Sequence, residues 1–416
     1  MLIFYKIISY LIYPLLPLLL FIRQLNGKED SLRKVEKLGR TEAPRPDGKL
    51  IWIHCASVGE ANSSLGLISL LLGQDKKLHI LMTTGTLSSA NLMAKKLPSR
   101  AMHQFNPLDA PQIVKRFLDH WQPNSVIWTE SEIWPNILSE LKYRNTPVAA
   151  VNATVSDKSF ASWQKRPAMI KEILSTFAVT LSQTDKKAKM LRKLGAENVK
   201  CVGNMKFTTL APAVDESKLK ELQGAIGKRK VMCYSSTHKG EEDIAINIHN
   251  KLPKNTLTII LPRHPNRKNE IKSLLEETKF SFCFRSDGAL PNAKTDIYVA
   301  DTFGEIGTFY AACPLVFMGG SLSPYHDGGH NPIEPAKFGC AVLSGPKISS
   351  FEEIFEGLKT ATKIVKTERS LQKNILELLK DKKKVNALSK EALKITGEDN
   401  TILADIMSEL KEAKVV

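Results

Sequence analysis

Residues 50–60 read Leu50-Ile51-Trp52-Ile53-His54-Cys55-Ala56-Ser57-Val58-Gly59-Glu60. Leu50 to Ile53 has the length and apolar continuity of a strand buried on both faces. Ser57, Gly59 and Glu60 form a turn, and Ala61 to Leu72 is apolar-rich and of helical length. Strand, tight turn and helix start, in that order, present free backbone N–H groups and the positive end of a helix dipole. On these residues alone the turn either cradles a phosphate or presents Glu60 as a general base to a substrate hydroxyl. The plain structural alternative is a glutamate that only complements the dipole.

Outward from this stretch the same alternation recurs. Strand-like runs are expected at Lys77 to Thr86, Ala101 to Phe105, Ser125 to Thr129, Pro147 to Asn152, Phe177 to Ser182 and Val199 to Gly203. After a polar, Lys-rich interval the pattern restarts at Lys230 to Ser235, Thr256 to Pro262, Ser281 to Arg285, Asp296 to Ala300, Leu315 to Met318 and Ala341 to Leu343. Strands separated by helical segments imply parallel βαβ units. The expected class is α/β, with two Rossmann-like doubly wound domains facing a cleft. The expected divisions are an anchor at 1–22, a first domain at 30–207, a linker at 208–229, a second domain at 230–395 and a C-terminal helix at 396–416.

A length of 416 residues suits two domains, and 43% hydrophobic with 25% charged residues excludes global disorder. Lys and Arg number 59 against 43 Asp and Glu, a net charge of +16. Such a surplus fits nucleic acid, an anionic membrane surface or a strongly anionic substrate. Without zinc-finger spacing or an RNP-like motif, nucleic acid is set aside. The six cysteines are scattered and read as reduced thiols rather than a disulfide framework. Leu2 to Ile22 is almost wholly apolar, broken by Lys6, Ser9, Pro14 and Pro17, and reads as a span or a monotopic anchor. Arg23, Lys28, Arg33, Lys34, Lys37 and Arg40 follow it, which places the body of the protein in the cytoplasm by the positive-inside rule.

The distinctive polar groups follow expected strands, where open α/β sheets bind ligands. Glu130 and Glu132 straddle Ser131 before Ile133-Trp134-Pro135-Asn136, with one expected at the ligand and the other capping the next helix. Lys206 follows the Gly203-Asn204 turn, where an ammonium can meet developing negative charge. Ser235-Ser236-Thr237 before Gly240-Glu241-Glu242 reads as a capped helix start. Arg263 ends an apolar strand between two prolines and suits bidentate phosphate or carboxylate binding. Gly319 to Ala336 holds two glycine pairs and leads to a helix opened by Asn331-Pro332, with Glu334 placed for a capping box or for ribose hydroxyls. His326, Asp327 and His330 are metal-ligating types, but so loose a loop does not fix ligand geometry, and no metal is expected.

Seven ordered motifs resemble the 3-deoxy-D-manno-octulosonic acid (Kdo) transferase family. They are Trp52-x-His54-x-x-Ser57-Val58-Gly59-Glu60, Glu130-Ser131-Glu132-Ile133-Trp134-Pro135-Asn136, Gly203-Asn204-x-Lys206-Phe207, Ser236-Thr237-His238-x-Gly240-Glu241-Glu242, Pro262-Arg263-His264-Pro265, Asp301-Thr302-x-Gly304-Glu305 and Gly328-Gly329-His330-Asn331-Pro332-x-Glu334-Pro335. The resemblance implies a GT-B fold and transfer of Kdo from CMP-Kdo to the phosphorylated lipid A precursor. It implies an enzyme at the cytoplasmic face of the bacterial inner membrane, among anionic lipids, with no cofactor and no metal. It places the general base on Glu60 and transition-state stabilisers on Glu130 and Lys206. It places the CMP site on Pro262, Arg263, Gly304, Glu305, Ile306, Asn331, Pro332, Ile333 and Glu334. Two positions depart from the family's usual pattern: Thr154 stands where an arginine is usual, and Thr208 where an aspartate follows Lys-Phe. The rival readings are a membrane-associated GT-B enzyme using a UDP-sugar and a non-catalytic lipid-binding scaffold.

Overall fold

Trp52, Ile53 and their neighbours are fully buried because both faces of their strand are covered by helices. In the computed structural model, which describes residues 1–397 and 399–416, they lie at the centre of the first of two compact units. That unit comprises Met1–Thr209 and Asp399–Val416. Its sheet contains β1 (Leu50–His54), β2 (His79–Thr84), β3 (Ala101–Phe105), β4 (Ser125–Thr129), β5 (Val148–Ala153), β6 (Phe177–Ser182) and β7 (Val199–Cys201). The order is β3-β2-β1-β4-β5-β6-β7, and every recorded pairing is parallel. The chain winds outward from β1 to β3, then returns to place β4 on the other side of β1. The topological switch therefore falls between β1 and β4, at whose carboxyl ends Glu60 and Glu130 follow.

The helix Val58–Gln74 begins three residues before the expected Ala61: Gly59 and Glu60, read as a turn, form its first turn, because the Ser57 hydroxyl caps it by accepting the Glu60 N–H at 3.3 Å. The helix Asp399–Glu412 packs on this same unit. Ile406 and Leu410 are fully buried, and Lys200 pairs with Glu409 and Glu412.

The second unit is Leu210–Glu398, of which Glu398, inside the range expected for the C-terminal helix, lies outside the described residues. It opens with the helix Glu216–Ile226, capped by the Asp215 carboxylate on the Ser217 and Lys218 N–H groups. Its strands are β8 (Lys230–Thr237), β9 (Thr256–Pro262), β10 (Phe282–Phe284), β11 (Ile297–Val299), β12 (Leu315–Met318), β13 (Ala341–Ser344) and β14 (Thr362–Ile364), in the order β10-β11-β9-β8-β12-β13-β14. The switch here lies between β8 and β12. Ser235 to Thr237 belong to β8, not to a helix cap; Gly240, at φ +87°, makes the bend into the helix Glu241–His249. Strand β14 has no counterpart in the sequence reading, because Thr362-Lys363-Ile364 is a short edge strand with one buried side chain.

Leu2–Ile12 and Leu16–Leu25 are helical, joined by a 3₁₀ turn at Tyr13–Leu15 next to Pro14 and Pro17. One side of this segment docks on the first unit. Tyr5 donates to Asp109 Oδ2 at 2.9 Å, Ser9 Oγ accepts from Asn136 at 2.9 Å, and Leu2 packs against the core. Ile3, Phe4, Leu11, Leu15, Leu18 and Phe21 stay exposed. Some of the cations that follow turn inward: Lys37 is buried against Glu29 at 2.6 Å, and Arg33 holds Glu36 at 2.7 Å.

Candidate active site

At the carboxyl end of β1, Glu60 is buried, and its Oε2 accepts the Ala56 N–H at 2.8 Å. The Thr129 hydroxyl, at the end of β4, lies 2.9 Å from the same oxygen and 2.7 Å from the His54 carbonyl. The carboxylate is thus aimed by two strands at the switch point rather than left to solvate at a helix start.

Glu130 has φ +57°, a left-handed conformation that a non-glycine residue holds only when its surroundings impose it. The surroundings are Lys206 Nζ, 2.7 Å from Glu130 Oε1, and Asn152 Nδ2, 3.2 Å from the same atom. Asn152 is itself left-handed, at φ +57°, and its Oδ1 accepts the Met205 N–H at 2.8 Å. One asparagine therefore fixes both partners of the ion pair. Glu132 does not cap the next helix. It accepts from His54 Nε2 at 3.3 Å and Trp134 Nε1 at 2.9 Å. Burial works against its charge, but those bonds outweigh burial and hold its pKa below the ordinary value. The cap of the helix Pro135–Tyr143 comes from a distance: Asp109 accepts the Asn136 and Ile137 N–H groups at 3.1 and 2.8 Å. Burial pushes the Asp109 carboxyl up to about 6, against those bonds.

In the second unit the same edge of the sheet is shaped by backbone. Glu241 is fully buried and accepts N–H groups from His238, Gly320, Ser321, Leu322 and Ser323 at 2.7–3.1 Å. Its carboxylate fills the anion nest at the start of the glycine loop and so holds the loop open. Gly319 is required here, because a Cβ would meet the Ser236 carbonyl oxygen at 2.5 Å. Glu242 pairs with Arg267 at 2.9 Å and accepts from Thr237 at 2.7 Å.

Four histidines line the mouths of β8, β9 and β12. His238 Nε2 is 2.8 Å from His330 Nε2, the His326 ring stacks on His238 at 3.9 Å, and His264 meets His238 edge-on at 5.6 Å. Burial, then the neighbouring imidazoles and arginines, lower His238 to about 4 and His330 to about 3. The ligating nitrogens of His238, His326 and His330 lie within 4.8 Å of one another. A metal ion lies in the plane of each imidazole that binds it, however, and these rings are within 12° of parallel, so the stack does not converge on one point.

The residues that resemblance assigned to CMP all follow strands of this sheet. Pro262 ends β9, and Arg263 is exposed, anchored by its N–H to the Thr237 carbonyl at 3.0 Å. Gly304 (φ +83°) precedes Glu305, whose carboxylate is held by Arg285 and Lys218 at 2.9 Å each. The Arg285 bond, against burial, takes Glu305 down to about 2. Ile306 begins the helix Ile306–Ala312. Asn331 Oδ1 accepts the Ile333 N–H at 3.1 Å, and Pro332 and Ile333 are buried. The helix carrying Glu334, Ile333–Ala336, is a single turn closed by Gly339 at φ +70°. So short a helix offers little dipole to an anion, whereas Arg263 presents an exposed guanidinium.

Asp109, Asn152 and Glu241 are the residues that sequence reasoning missed. The one local signal was Asn152 itself, an asparagine near the end of the otherwise apolar β5.

A family model described as 3-deoxy-D-manno-octulosonic-acid transferase (kdotransferase) matches residues 33–209. The chain is 33% identical to a 3-deoxy-D-manno-octulosonic acid transferase of Rickettsia bellii over 415 residues, covering 97% of each chain. It is 30% identical to one of Haemophilus influenzae over 422 residues, covering 98% of this chain and 97% of that one. The crystal structure of UDP-GlcNAc 2-epimerase from Neisseria meningitidis bound to UDP-GlcNAc resembles it with a TM-score of 0.59 at 13% identity, covering 87% of this chain and 100% of that one, a likeness of fold alone. Two parallel α/β units of GT-B type, with the seven motifs gathered at their strand ends and full-length likeness to these enzymes, establish that the chain belongs to the 3-deoxy-D-manno-octulosonic acid transferase family, a family of glycosyltransferases.

Proposed function

We propose that the chain transfers Kdo from CMP-Kdo to a hydroxyl of the lipid A precursor, lipid IVA, in one inverting step at the cytoplasmic face of the bacterial inner membrane. The observation that carries this reading is Glu60, a buried carboxylate aimed by Ala56 and Thr129 at the switch point of the first unit. With Oε2 anchored, Oε1 takes the proton of the acceptor hydroxyl as its oxygen attacks the anomeric carbon. The bond from that carbon to the CMP phosphate breaks, and CMP leaves with the electron pair. Glu130 and Lys206, fixed by Asn152, supply a preorganised ion pair beside the reacting centre. Arg263 receives the charge of the departing phosphate. A CMP leaving group is stable as an anion, so the scheme uses no metal and no cofactor.

The surplus of +16 suits a phosphorylated acceptor and anionic lipid. The apolar helices Leu2–Leu25 are docked along one side and bare along the other, which supports a helix lying in the membrane interface rather than crossing it.

Purified enzyme given CMP-Kdo and lipid IVA in detergent tests the reading by product mass and by the anomeric configuration of the product. The expected result is a product heavier by whole Kdo residues, with a loss of about 10³-fold in kcat for Glu60→Gln at retained CMP binding. Transfer from UDP-sugars but not from CMP-Kdo overturns it, and an undiminished Glu60→Gln overturns the base.

A further inference from the structure

Protein interiors are close-packed, and an apolar void weakens a fold in proportion to its volume. The first unit nevertheless keeps a cavity of about 190 Å³ between β4, β5, β6 and the helices that cover them. Trp128, Trp163, Ile170, Leu174, Phe177 and Leu194 form its walls. Glu130, Ser131, Glu132 and the short Thr154 and Ser159 line its mouth. It therefore opens beside the carboxylate that pairs with Lys206.

A second observation lies inside. Thr180 lines the cavity, is 1% exposed, and its hydroxyl has no hydrogen-bond partner. Buried hydroxyls are normally satisfied, so an orphan in an apolar wall marks a place for a polar atom of something absent. Thr180 pairs with Ala150, which pairs with Trp128, two residues before Glu130. At about 3.3 Å per residue, the hydroxyl sits about 7 Å below the mouth.

A third observation names the occupant. Glu130 to Ile133 line the cavity, and the helix that follows at once, Pro135–Tyr143, carries Asn136, whose Nδ2 donates to Ser9 of the apolar N-terminal helix. Membrane-facing surface, cavity mouth and Glu130 are thus joined by seven residues of chain.

We propose that this cavity takes one acyl chain of the glycolipid acceptor, with Thr180 donating to a carbonyl or hydroxyl near the head of that chain. The proposal rests on the lipid-acceptor reading above. The chain would anchor the acceptor equally before and during reaction, so the effect belongs in acceptor KM.

The test compares lipid IVA with the same bisphosphorylated disaccharide after alkaline removal of its acyl chains, using the full-length enzyme. Ala150→Leu fills the cavity from the sheet, and Thr180→Val removes the orphan hydroxyl without changing shape. The expected result for Ala150→Leu is a rise of about tenfold in KM for lipid IVA, with kcat, CMP-Kdo KM and transfer to the deacylated acceptor unchanged. Thr180→Val raises only the lipid IVA KM, by a smaller factor, and answers the question should Ala150→Leu fail to fold. If both folded variants match wild type on lipid IVA, the cavity assignment is overturned while the transferase reading stands. If wild type modifies neither acceptor, that reading is overturned and the cavity assignment with it.

Discussion

The two sheets carry their working groups in contrasting ways. In the first unit, side chains are locked to side chains: Glu60 on Thr129, Glu130 on Lys206 and Asn152, Glu132 on His54 and Trp134. In the second, one buried carboxylate, Glu241, gathers five backbone N–H groups and leaves Arg263 exposed at the edge. The difference teaches where rigidity is placed. On the proposed function, groups that act on a reacting atom are fixed individually, whereas the donor's recognition surface is fixed through the path of the main chain.

The sharpest way to break this contrast is Lys206→Ala. It removes one side of the Glu130–Lys206 ion pair proposed to stabilise the transition state, and the expected outcome is a loss of about 10²–10³ in kcat with little change in CMP-Kdo KM, read by steady-state kinetics. A comparable rise in donor KM instead would show that the pair serves binding. Glu241→Gln reverses the pattern. It keeps the shape but halves the acceptors facing those N–H groups, and is expected to raise CMP-Kdo KM about tenfold and to cost about 2–3 kcal/mol of stability, with the chemical step nearly intact in single turnover. Chemical denaturation and kinetics on one preparation check both.

The smallest effect is one of pH. His238 and His330 hold protons less readily folded, at about 4 and 3, than the ordinary imidazole value near 6.5. The unfolded second unit therefore binds more protons across that window, and the stability these two imidazoles contribute, complete above about pH 6.5, is lost as pH falls toward 4 and then 3. In the first unit Asp109, raised to about 6, binds its proton better folded and acts in the opposite sense between about 6 and 3.8, against His103, which burial and then Arg33 lower to about 3. All five tryptophans, at 52, 121, 128, 134 and 163, lie in the first unit. Melting at pH 5 rather than 7.5 is expected to show a phase a few degrees earlier in circular dichroism that tryptophan fluorescence does not follow. Coincident phases would mean that the units share one titration.

What the sequence disclosed, and what it hid, follows from range. Leu50 to His54 was legible because an apolar run is a local signal. So were the thirteen strands marked by short apolar runs, while Thr362–Ile364 offered none. The Ser57 cap was not: it reads as a turn, with the helix start at Ala61 instead of Val58. Glu60, Glu130, Lys206 and Arg263 stood out in the sequence as charged residues after strands, and the family resemblance gave them expected roles. Asp109, Asn152 and Glu241 stayed hidden because their partners lie 27, 53 and about 80 residues away. The helix at Glu334 was overestimated, because Asn331-Pro332 announces a start while Gly339 closes the run after one turn.

The return of Asp399–Glu412 to the first unit has a consequence for biosynthesis. Domains generally fold as the ribosome releases them, amino end first. Here residues 210–397 emerge in full before the strip that Ile406 and Leu410 bury against the first unit. The second unit is thus the first able to complete its core, while the unit that carries the apolar N-terminal helices and Glu60 waits for the strip at Asp399–Glu412. A released chain truncated before residue 399 is expected to hold a finished second unit and an unsealed first one, and protease would cut the first preferentially.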